Sequence, residues 1–106
     1  MKTGIIVFVA VLFINLCGCS TMAQRGALSR AYSNYEDGDY EDVLAFTSQA
    51  EKYQEPSHEM KAEIIYLKGL ALEKLERNGE AQGIFKYLSE KFSDTQYGFM
   101  AKEKIK

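Results

Sequence analysis

The chain has 106 residues, with 13 Lys and Arg against 15 Asp and Glu, a formal charge of −2. That length fits one small domain, and the mild acidity provides no basic stripe of the kind nucleic-acid binding needs. Two cysteines and one histidine leave little material for a disulfide framework or a Cys/His metal centre.

The first element is an apolar run from Ile5 to Ile14, preceded by Lys2 and followed by Asn15 and Leu16. A helix needs about 20 apolar residues to cross a bilayer, so this run is short for a span. A charged start, an apolar stretch and then small residues fit a secretory signal. Leu16-Cys17-Gly18-Cys19 resembles the bacterial lipobox, in which Leu, a small residue and Gly precede the cysteine that becomes the first mature residue. Cys17 departs from the usual Ala, Ser or Thr at its position. The resemblance implies cleavage after residue 18 and a lipidated Cys19, with a diacylglyceryl thioether and an N-acyl group. No other cofactor is expected. Multiple acyl chains give stable anchoring where one does not. Ser20 stands where enteric lipoproteins retained in the inner membrane carry Asp, which favours the outer membrane. The expected organisation is a signal peptide over 1–18, a lipidated tether over 19–26 and a helical domain over 27–106.

The rest of the chain is rich in Ala, Leu, Glu, Lys and Tyr, which favours helices. Expected spans are 24–36, 40–54, 58–76, 79–92 and 95–105, with Asp39, Ser57 and the Ser93–Thr95 stretch as caps. Pro56 stops the second helix. An internal repeat runs through these elements. Ala31 and Gly69, Val43 and Ala81, and Ala50 and Leu88 share one spacing. Turns are expected at Asp37-Gly38-Asp39 and at Arg77-Asn78-Gly79, where Gly or Asn takes the left-handed conformation that ends a helix.

The pattern resembles the tetratricopeptide repeat (TPR), a helix–turn–helix unit of about 34 residues. Gly69, Ala81 and Phe85 match its small, small and aromatic positions. The first copy keeps Ala31, Gly38-Asp39-Tyr40 and Ala50 but has Val43 and Thr47 where the family has Ala and an aromatic. Tyr97, Met100 and Ala101 match the start of a third unit. The resemblance implies an all-α, TPR-like solenoid of about two repeats plus a C-terminal capping helix. It is similar to small lipoproteins of outer-membrane assembly, pilotin and Tol-associated families.

No catalytic constellation stands out. His58 has no nitrogen or sulfur neighbour to share a metal. Glu59 and Glu63 share a helical face and read as solvated. The acidic stretch Glu36 to Asp42 lacks the spacing of a calcium loop. What remains is a surface. By the resemblance, the first helix of each repeat lines a groove, presenting Arg25, Leu28, Tyr32 and Tyr35 from one copy. The other copy presents Glu63, Tyr66, Leu70, Glu73 and Lys74. Tyrosines suit partner binding, and they equally suit packing against the next helix.

The expected protein is therefore a non-catalytic lipoprotein, anchored at the periplasmic face of the outer membrane, that holds a protein or peptide of an envelope complex. The alternative is a self-associating structural lipoprotein, or a pilotin-like chaperone for a pilus or secretion channel.

Overall fold

The computed structural model describes residues 21–106. The expected signal peptide, the cleavage site and Cys19 lie outside the described residues. Within them the chain is all-helical: α1 over 21–37, α2 Tyr40–Tyr53, α3 His58–Lys74, α4 Asn78–Lys91 and α5 Gln96–Lys104. These spans lie close to those expected from the sequence. Residues 21–23 extend α1 beyond its expected first residue, 24, so the described part of the stretch expected as a tether is helical.

The reason is Gln24, which is only 1 % exposed. Its Nε2 donates to the Ala50 carbonyl at 3.0 Å and to the Gln54 carbonyl at 2.9 Å. The last carbonyls of a helix have no intrahelical donor. Gln24 supplies donors to the end of α2 and fastens α1 against it.

Two hairpins follow the same backbone path. After α1, Gly38 has φ 84°, its amide bonds to the Tyr35 carbonyl at 3.2 Å, and the Asp39 amide reaches the Asn34 carbonyl at 2.9 Å. After α3, Glu76 has φ 61°, its amide bonds to Glu73 at 3.1 Å, and the Arg77 amide reaches Leu72 at 2.9 Å. Both are Schellman ends. The second turn thus falls on Glu76, not on Asn78-Gly79, which already lie in α4. Gly38 and Glu76 keep the same spacing as Ala31 and Gly69. Ser57 caps α3 by accepting from the Met60 amide, and Thr95 caps α5 by accepting from Gly98. Asp39 stands at the cap position of α2, but its side chain makes no capping bond.

From α2 onward each helix packs on its neighbours in sequence, and α3 also touches α5; α1 joins α2 through the Gln24 bond and α3 through the Tyr32–Glu63 bond. The odd-numbered helices therefore form one layer and the even-numbered helices the other. α3 is the shared wall. Its Ile64, Leu67 and Ala71 close a core with Ala27, Leu28, Ala31, Val43 and Ala50. Its Ala62, Tyr66 and Leu72 close a second core with Ala81, Phe85, Leu88, Phe92 and Ala101. Among the described residues, no helix is long and apolar enough to cross a membrane.

Candidate functional site

The α1–α3–α5 layer carries a continuous band of tyrosines and charges. Helical spacing places them there. Leu28, Tyr32 and Tyr35 on α1, and Glu63, Tyr66, Leu70 and Glu73 on α3, recur at three, four and seven residues, which is one helix face. On α5, Tyr97 and Lys104 are also seven apart.

At one end of the band, the Tyr32 hydroxyl donates to Glu63 Oε1 at 2.7 Å, joining α1 to α3. Burial, and then the neighbouring Glu63 carboxylate, push the Tyr32 hydroxyl well above its ordinary range. Tyr97 is also raised, first by burial, with Glu63 and Glu59 adding to it. A phenolate beside carboxylates is disfavoured, so both hydroxyls stay protonated donors. At the other end, Lys104 Nζ donates to Glu73 Oε1 at 3.1 Å. That bond raises the Lys104 ammonium above its usual value. The Tyr66 ring lies between Phe85 and Tyr97, 5.8 Å from each, and Tyr35 meets Tyr40 edge-on at 5.4 Å.

The residues expected to line a groove divide by burial. Leu28 and Tyr66 are 7 % and 9 % exposed, so they serve mainly as core. Tyr32 is 38 % exposed. Tyr35, Leu70 and Glu73 are half-buried, and Arg25 and Lys74 are exposed. Tyr97 and Lys104 were not among the expected groove residues, although their seven-residue spacing is visible in the sequence. The arrangement can donate and accept hydrogen bonds and offer aromatic area.

His58 sits at the opposite edge of the layer. Its Nε2 lies 2.9 Å from Asp94 Oδ1, and its ring stacks on Phe92 at 4.7 Å. This ties the start of α3 to the α4–α5 turn. The His58 hydrogen bond holds the Asp94 carboxyl below its ordinary value, with a backbone amide contributing. Among the described residues, no cluster of His, Cys, Asp and Glu could hold a metal ion. No protein-family model, curated protein or solved structure matches the chain.

Proposed function

We propose that the protein is a lipid-anchored, non-catalytic adaptor of a bacterial envelope. Cys19 carries the acyl chains at the periplasmic face of the outer membrane, and a TPR-like solenoid holds a protein or peptide partner. The observation that carries this reading is the α1–α3–α5 layer. Tyr32, Tyr35, Tyr66 and Tyr97 converge there with Glu63, Glu73 and Lys104, supplied by three separate helices. A face assembled this way offers aromatic area and directional polar groups together, which is the usual make-up of a binding hot spot. The repeated Schellman turns and the packing of each hairpin on the next support a solenoid of repeats, and the Leu16–Cys19 motif supports the anchor.

The test has two arms. Labelled palmitate should enter the wild-type chain and be lost in Cys19→Ala. A photoreactive residue replacing the exposed Lys74 should capture one envelope protein in cells, and Tyr32→Ala with Glu63→Ala should abolish that capture. Turnover of a substrate by the purified protein would defeat the reading, as would membrane release unaffected by Cys19→Ala.

A further inference from the structure

A second surface lies away from the tyrosine band, on the open side of the α4–α5 pair. An open cleft of about 430 Å³ is lined by Gln82, Gly83, Lys86, Ile105 and Lys106, among others. It adjoins another of about 350 Å³, lined by Gly98, Phe99 and Lys102, since Ser89 and Glu90 line both. A Cβ at Gly83 would meet nothing within 4 Å, so an incoming backbone can approach closely there. Phe99 of the second cleft is 65 % exposed, and Ile105 of the first is exposed as well. Among the described residues, neither Lys86 nor Lys102 pairs with a carboxylate.

The first hairpin carries the complementary charge. Glu36, Asp37, Asp39, Glu41, Asp42 and Glu51 occur with no Lys or Arg between 31 and 51. All six are exposed, and none forms an ion pair among the described residues. On α2, Asp42, Phe46, Gln49 and Tyr53 follow helical spacing along one face. Phe46 is half-buried and Tyr53 exposed.

We infer that the protein associates head to tail with a second copy of itself, the acidic α1–α2 hairpin of one copy seating on the lysine-rimmed α4–α5 cleft of the other. Topology gives the register. The Lys104–Glu73 bond joins the C-terminal ends of α5 and α3, and the α1–α2 turn lies at that same edge because the odd-numbered helices run parallel. A second copy stacked in the same sense brings Glu41 and Asp42 beside Lys102 and Lys106. It also brings the α2 aromatics over Phe99 and Gly83. The contact extends the two helix layers, as one repeat extends the next. It uses two different faces, so it is heterologous and builds open chains unless the rotation closes. The inference does not rest on the adaptor reading, since it uses the end faces and not the tyrosine band.

The experiment uses the full-length chain in cells, with Phe99 replaced by a photoreactive phenylalanine analogue. The expected product is a ladder of self-adducts whose digest joins position 99 to residues 40–53 of another copy. Lys102→Glu with Lys106→Glu should lower the adduct about tenfold or more through like-charge contact. A differently tagged copy carrying Glu41→Lys and Asp42→Lys should restore it. In membranes isolated from those cells, raising salt from about 0.1 M to about 1 M should suppress the adduct, because screening shortens the reach of exposed charges. Four results would overturn the inference: no adduct, adducts only to residues 1–20, capture only of a different protein, or a self-adduct indifferent to charge reversal. Because the Phe99 probe sits in an otherwise wild-type chain, misfolding of a charge variant cannot mask the answer.

Discussion

The two halves share a backbone plan but fill it with different chemistry. Most buried residues of the first core are small, Ala27, Ala31, Val43, Ala50 and Ala71, beside Leu28, Ile64 and Leu67. It also buries two polar side chains, Gln24 and Thr47. Both are satisfied: Gln24 by the end of α2, and Thr47 by donating to the Leu44 carbonyl at 3.0 Å. The second core is built around Phe85, Leu88, Phe92 and Tyr66. There Gly69 makes room for an aromatic ring, since a Cβ at that position would lie 2.7 Å from Phe85 Cε1. One half is held by close helix approach and a polar staple, and the other by aromatic volume received by a glycine. The same helical hairpin is compatible with either solution, provided α3 offers each side its own face.

Six substitutions would break or sharpen this contrast. The largest effect is expected in the aromatic half. Phe85→Ala removes a fully buried ring and should cost about 3–5 kcal/mol in chemical denaturation. The small-residue half should respond to the opposite insult. Ala31→Leu overfills a position with no exposure and should cost about 1–3 kcal/mol. Gln24→Leu should cost a similar amount, about 1–3 kcal/mol, by leaving the Ala50 and Gln54 carbonyls without their donor. A smaller loss from Gln24→Leu than from an exposed control such as Ser33→Leu would refute the staple.

The turns give a paired test. Gly38→Ala meets no atom within 4 Å, so its cost should be purely conformational, about 1–2 kcal/mol. Glu76→Gly should move the other way, stabilising by about 1 kcal/mol, because Glu76 already holds a left-handed conformation. Opposite signs in thermal melts would establish that one backbone demand is met by two different residues.

The smallest effect is the pH dependence at the far edge. Asp94 is held below its ordinary value by His58, so its contribution is present above the unfolded carboxyl value. It is lost as pH falls below about 4, through the lowered folded value. Asp94→Asn should flatten that part of the melting-temperature profile. An unchanged acid limb would mean the pair is dispensable.

Helix number, order and approximate ends were legible because caps, Pro56 and apolar spacing are local signals. The second turn falls where local composition does not point. Asn78-Gly79 has the composition of a helix end, yet the chain turns at Glu76, two residues earlier, where the repeat spacing and the packing of α3 require it. Gln24 falls where the expected tether stretch and the expected first helix overlap, and only the carbonyls at the end of α2, distant in sequence, explain its burial. The groove residues share that limit. Spacing places Leu28, Tyr32, Tyr66 and Glu73 on the inward faces, but which of them face solvent depends on where α5 lies. Tyr97 and Tyr66 pack together, so Tyr66 is covered while Tyr32 remains accessible.

By itself, then, the sequence determined the helices, the repeat spacing and the separation of an acidic first hairpin from a lysine-bearing last one. These follow from side-chain periodicity and charge order along the chain. The tertiary structure alone decided which tyrosines are core, which residue turns left-handed, and which charges stand unpaired at the two end faces. Burial, turn position and pairing are set by contacts between helices far apart in the chain.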